Sequence, residues 1–161
     1  MTMAKIHHFD SFSIVNGDVN IRVDLDPLSD RFNRAQYQLD SMIMTSMEPF
    51  MPKQDSTLID GTKAASAAMA GTGWVCAGVP PYGRFLYEGK GMVDEKTGSP
   101  WARQSAKKVL VSQYGGKTNA KENLSFSASK NPKAQPHWFD AAKDADGSDW
   151  VRMTKKNAGG G

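Results

Sequence analysis

His7-His8 is the only histidine pair in the chain, Cys76 is its one cysteine, and carboxylates gather at Asp94-Glu95 and at Asp144, Asp146 and Asp149. These residue types hold metals and move protons. Their spacing argues against both uses. Neighbouring histidines point different ways from an extended backbone, and no third histidine or cysteine lies close in sequence, so His7 and His8 read as a solvated arm. DADGSDW has the aspartates of a calcium loop but lacks its full spacing and its distal glutamate; a helix with a solvated face explains it better. GGKT, residues 115–118, ends like a phosphate loop of the form GxxxxGK[ST], but Val111 stands where that pattern needs its first glycine. Cys76 sits between Val75 and Ala77 with no basic neighbour to lower its pKa, so it reads as a small buried hydrophobe in an apolar strand. His137, between Pro136 and Trp138, reads as packing or surface. This supply yields no nucleophile with its base and no metal shell, so no catalytic residue, metal or cofactor is expected.

Two other groups invite a binding role. Lys107, Lys108, Lys117, Lys121, Lys130 and Lys133 lie close in sequence to Trp101, Tyr114 and Phe126. Lysines grip phosphates and rings stack on bases, but no defined nucleic-acid motif accompanies them. The second group is PPYGRFLYEGKGMVDEKTGSPWA, from Pro80 to Ala102, where Tyr82, Phe85, Tyr87 and Trp101 crowd together with Arg84. Tyr, Trp and Arg dominate the energetics of protein interfaces. Such rings form an assembly surface or close the protein's own core, and the sequence leaves both open.

Elements must hold these residues. Asn16-Gly17 between alternating runs (Phe12, Ile14; Val19, Ile21, Val23, Leu25) predicts a β-hairpin. Asp26 as N-cap, Pro27 behind it, and Leu28, Phe32, Ala35, Leu39 and Met42 on one stripe predict a helix over about 27–47, with Arg31, Arg34, Gln38 and Asp40 largely off the stripe. Residues 50–62 read as a turn-rich connection. AASAAMA and WVCAGV around Gly71-Thr72-Gly73 predict a second hairpin, closed by Pro80-Pro81. YGRFLYEG predicts a short helical turn, GKGMVDEKTGSP a loop, and WARQSAKKVLV a helix start or a strand. Residues 114–135 are polar and poor in aliphatics, which predicts a long flexible excursion. The segment 136–156 predicts a last helix with Trp138, Phe139, Ala142, Trp150 and Met153 as its apolar positions.

The 161 residues predict a single domain, with residues 1–10 as an N-terminal arm and 157–161 as a mobile tail. One cysteine, no signal-like apolar stretch and no apolar run of membrane length predict a soluble product of a reducing cytoplasm, away from any membrane. Net charge is +3, unevenly spread: residues 1–100 hold 9 Lys/Arg against 12 Asp/Glu, and residues 101–161 hold 11 against 5. The basic part suits an acidic surface, such as another copy's N-terminal part, a partner protein or DNA.

RFNRAQYQLDSMIM, PYGRFLYEGKGMVDEKTGSPWARQSAKKVL and NPKAQPHWFDAAKDADGSDWVRMTKK, in that order, resemble the minor capsid proteins of tailed bacteriophages, small head–tail joining or neck proteins. The resemblance spans roughly residues 28–156. It is carried most specifically by the YxRxLYxGK run and SPWA, and also by the proline followed by an aromatic pair. It implies an α+β fold with a small antiparallel β-sheet packed against one long helix, a C-terminal helix and flexible arms. It implies a structural virion protein at the neck, near the portal vertex, in a homo-oligomeric ring between head-closure or adaptor proteins and the tail terminator or tube; nonspecific contact of the basic loop with DNA in the lumen is a further option. The motif residues it carries over, in structural roles, are Tyr82, Arg84, Tyr87, Gly89, Pro100, Trp101, Pro136, Trp138 and Phe139. Asp55-Ser56-Thr57-Leu58 departs from the pattern, lacking a glycine that many relatives of the broader group carry. The alternative expectation is a basic, nucleic-acid-associated protein without sequence specificity.

Overall fold

The computed structural model describes residues 6–54, 56–101, 103 and 105–160. Their order is β1 (Phe12–Asn16), β2 (Val19–Val23), α1 (Asp26–Met47) running into a 3₁₀ turn at Glu48–Phe50, α2 (Thr57–Met69), α3 (Gly83–Glu88), β3 (Met92–Asp94), β4 (Lys108–Leu110), a 3₁₀ turn at Val111–Gln113, and α4 (Trp138–Asn157). The class is α+β, as expected. The pairing is antiparallel and divided between two two-stranded sheets, β1-β2 and β3-β4. The described residues form two compact units, one from those within 6–46, 63–76 and 142–160, the other from those within 47–62 and 77–141.

In the first unit Asn16-Gly17 turns the expected hairpin, with Gly17 at φ 60°. Phe12 faces Val23, Ile14 faces Ile21 and Asn16 faces Val19 across the strands. Directly opposed residues share a face, so five apolar side chains line one side, while Ser13, Val15, Asn20 and Arg22 take the other. Helix α1 follows within a residue of its expected span, but Asp26 is its first residue rather than its cap. Asp24 Oδ1 accepts the Asp26 N–H at 3.0 Å, and Leu25 O accepts the Ser29 N–H at 3.0 Å.

The most buried α1 positions include polar Ser29, Asn33 and Asp40. Each satisfies main chain from another segment. Asn33 exchanges two hydrogen bonds of 2.9 Å with the backbone of His7, and Ser29 Oγ accepts the Phe9 N–H. The His7 and Phe9 rings meet Phe32 edge-on. The expected solvated arm is therefore docked from His7 onward; residues 1–5 lie outside the described residues. Asp40 Oδ2 accepts the N–H groups of Gly71 at 2.7 Å and Gly73 at 3.1 Å, and Oδ1 accepts from the Gln36 amide at 2.8 Å. Asp40 is off the apolar stripe by chemistry and inside by position, because buried main-chain donors need an acceptor.

The expected second hairpin is absent. Its first half lies in helix α2, which buries Ile59, Thr62 and Ser66 at helical spacing, and alanine favours that state. Gly71 and Gly73 have positive φ but lie beyond a helix end, not between strands. Cys76 is half-buried in irregular chain, and Ser66 Oγ both receives its N–H at 3.1 Å and donates to its carbonyl at 3.3 Å. In the same unit α4 buries Ala142 and Trp150, and Trp150 Nε1 donates to Ser46 Oγ at 3.1 Å. The DADGSDW stretch is part of this helix. Residues 158–160, expected as tail, wind up the helix end, with the Gly160 N–H on Lys155 O at 2.8 Å.

In the second unit α3 is the expected short turn. Gly89 ends it at φ 64°, and its N–H and that of Lys90 return to Leu86 O and Phe85 O. A Cβ at Gly89 would stand 2.9 Å from the Pro136 ring, so conformation and space both require glycine here. Strand β3 occupies chain that reads as loop, since three residues are too few to show a period. β4 takes the strand option for WARQSAKKVLV. Residues 114–135 hold no helix or strand, yet they are tied at both ends: Gly91 N–H donates to Glu122 O, Leu124 N–H to Gly89 O, Asn131 Nδ2 to Met51 O, and Gln135 N–H to Phe50 O. A Cβ at Gly91 would land on the Lys121 carbonyl oxygen. The excursion is thus a strap fixed by main-chain groups and by polar side chains, among them Asn131 and Thr118, whose hydroxyl donates to Gly98 O at 2.6 Å.

Candidate functional site

The second unit contains an open cleft of about 960 Å³. Val79, Pro81, Tyr82, Phe85, Trp101 and Phe126 supply much of its apolar wall. Lys53, Lys90, Lys108, Lys121 and Lys130 also line it, and no carboxylate does among the described residues. Helix α3 and the turn before it place Tyr82 and Phe85. The β3–β4 connection places Trp101, and the 121–130 strap closes the far side. Tyr82 is 54 % exposed and Trp101 85 %.

A buried carboxylate fixes the loop that carries Trp101. Asp94, the last residue of β3, is fully buried. Its side chain accepts the N–H groups of Lys96 at 2.8 Å and Thr97 at 3.0 Å, and both Nε and Nη2 of Arg103 at 3.1 and 3.3 Å. Its main chain pairs with Ser99 O and the Gly98 N–H. Beyond this knot, Lys108 Nζ donates to Pro100 O at 3.0 Å and lies 5.6 Å from the centre of the Tyr82 ring. Pro100, Trp101, Tyr82 and Lys108 therefore form one arrangement. The sequence presents Asp94-Glu95 as an acidic pair, but only Glu95 faces solvent, with Lys107 at 3.7 Å. The missed signal is DEKTG: an aspartate whose next residues offer N–H groups, followed by glycine, is a turn-forming pattern.

The Arg103 guanidinium first, then the Lys96 and Thr97 N–H groups, hold the Asp94 carboxyl well below the usual carboxylate range, against the opposing effect of burial. A carboxyl with a depressed folded pKa stabilises the fold above its unfolded pKa and loses that contribution as pH falls. The urea midpoint of the wild type is expected to drop more steeply than that of Asp94→Asn between about pH 4 and pH 2. Equal slopes would show that this carboxylate has no such role.

The nine motif residues separate into two places. Tyr82, Pro100 and Trp101 lie at the cleft, and Arg84 is exposed beside them on α3. Tyr87 and Trp138 pack together inside, Gly89 lies against Pro136, which is itself exposed, and Phe139 is half-buried. Trp138 is fully buried, its Nε1 donates to Ala77 O at 2.8 Å, and its ring meets Tyr87 edge-on at 4.9 Å. The His137 N–H donates to Tyr87 O at 2.8 Å, and its ring lies 5.1 Å from that of Tyr87. Burial, then the carboxylates of Asp140 and Glu88, push the Tyr87 hydroxyl up. Among the six lysines, Lys108, Lys121 and Lys130 line the cleft. Lys107, Lys117 and Lys133 are exposed outside it, Lys133 near the Phe50 ring. Lys53 and Lys90 complete the basic lining from sequence-distant segments.

Among the described residues no three His, Cys, Asp or Glu side chains come together as a metal site, and no helix is long and apolar enough to cross a membrane. The cleft lining is made of rings, prolines, aliphatic side chains and cations. Comparison of the chain with known protein families, curated proteins and solved structures finds no match.

Proposed function

We propose that the chain is a structural virion protein of a tailed bacteriophage, part of the neck that joins head to tail, working as a homo-oligomeric ring in contact with other neck proteins. One observation carries the reading furthest: a ring as large as Trp101 is 85 % exposed on a loop tied down by a buried carboxylate. Exposed aromatics on a fixed support are what protein interfaces use as anchors. The resemblance of the Pro80–Ala102 and Pro136–Phe139 segments to minor capsid proteins supplies the setting.

The test is a phage carrying Tyr82→Ala together with Trp101→Ala. Heads and tails form, and joined particles fall by about tenfold or more, as two lost anchors predict. An unchanged yield of viable phage rejects the neck reading. Tyr87, being half-buried against Trp138, belongs to the fold and not to this test.

The five lysines beside stacking-competent rings favour a second reading, nonspecific contact with nucleic acid. Binding to DNA fragments with a steep salt dependence, weakened by Lys53→Glu with Lys121→Glu, is its signature.

A further inference from the structure

We infer that the apolar face of the β1–β2 hairpin of one chain seats in the lysine-lined cleft of a second copy. The choice of a second copy as occupant rests on the assembly reading above; the two surfaces themselves do not. Phe12, Ile14, Val19 and Ile21 are each about half exposed or more, and they share one face by strand register. A two-stranded sheet is marginal in water unless something packs on it, and an aligned apolar face left in solvent marks a contact surface. The cleft provides the counterpart. Its volume of about 960 Å³ exceeds what one side chain fills and suits a cluster, and its walls are aromatic and aliphatic.

Charge decides the pairing. Residues 10–26 carry Asp10, Asp18, Asp24 and Asp26 against the single base Arg22. The cleft carries five lysines and no acid among its described lining. Hairpin against hairpin would set aspartates on aspartates, whereas hairpin against cleft sets them on lysines. The resulting contact is head-to-tail, using two different patches of each chain, and head-to-tail contacts close into rings when the rotation allows.

Two full-length variants test this by sedimentation. Ile14→Lys with Ile21→Lys breaks the hairpin face, and Lys53→Glu with Lys121→Glu breaks the cleft. The wild type is expected to self-associate. The hairpin variant weakens that at least about 30-fold, as for lost anchors, and the cleft variant about tenfold. An equimolar mixture restores the contact but stops at a heterodimer, because one intact hairpin meets one intact cleft. If circular dichroism shows that the lysines unfold the strand pair, Ile14→Ser with Ile21→Ser reads the same way.

Three results overturn the inference: a wild type that stays monomeric up to about 1 mM, a cleft variant that associates like the wild type, or a mixture no larger than its components. DNA binding lost in the cleft variant with self-association intact assigns the cleft to nucleic acid and likewise overturns it. The neck reading fails separately, through undiminished joining of heads and tails in the Tyr82 and Trp101 double variant.

Discussion

Trp138→Ala lowers the stability of the unit formed by residues 47–62 and 77–141 by about 3–5 kcal/mol, while Trp101→Ala changes it by no more than about 0.5 kcal/mol. The chemical truncation is the same and the sequence offers both tryptophans as motif residues. Their surroundings differ. Trp138 is fully buried, gives its indole N–H to Ala77 O and meets the Tyr87 ring edge-on. Removing it leaves a cavity and an unpaired carbonyl together. Trp101 projects into solvent from a loop whose geometry Asp94 and Arg103 hold without it. Urea titrations followed by far-ultraviolet circular dichroism measure both. Equal losses for the two variants would contradict the division of the motif into inner packing and exposed anchor.

Asp40→Ala is the matching experiment in the other unit, with an expected loss of about 2–4 kcal/mol. Two main-chain donors, Gly71 and Gly73, converge on one carboxylate oxygen from the end of α2, at 2.7 and 3.1 Å. Alanine leaves both without their charged acceptor. Asp40→Asn keeps a carbonyl oxygen in place and lets the Gln36 amide turn to match the new donor, so its loss is about 1 kcal/mol. If Asn and Ala destabilise equally, the acceptor is not what matters and the role assigned to Asp40 fails.

These two residues also mark how far the amino-acid order reveals the fold. The hairpin is legible because Asn16-Gly17 requires positive φ and the flanking runs alternate. Helices α1 and α4 are legible because apolar residues recur at helical spacing. Asp40 is hidden because polarity alone assigns it to solvent, and only the positions of Gly71 and Gly73 reverse that. Helix α2 is misread because glycines beyond a helix end resemble those of a strand turn, and that turn signal outweighs the helix propensity of the alanine run before them. The strap over 114–135 is misread for a different reason. Composition measures what side chains can bury, whereas this segment is held by hydrogen bonds, from its main chain and from polar side chains such as Thr118 and Asn131, whose partners lie far off in sequence.

The site divides in the same way. That Pro80–Ala102 carries a surface function is an inference from residue type. Which rings face outward depends on Asp94, whose partner Arg103 is nine residues on, and on lysines from segments up to 77 positions apart, Lys53 and Lys130 being the extremes. Cooperation over such distances leaves no local pattern.

The four tryptophans give the chain a built-in set of optical reporters. Trp74 is 73 % exposed and Trp150 only 7 %, both in the first unit; Trp101 is 85 % exposed and Trp138 not at all, both in the second. Each unit thus carries one emitter open to a dissolved quencher such as acrylamide and one shielded from it. Shielding of the Trp101 emission reports a partner arriving at the cleft, and a red shift from Trp138 or Trp150 reports which unit has opened, so docking and unfolding can be followed in one cuvette without any attached dye.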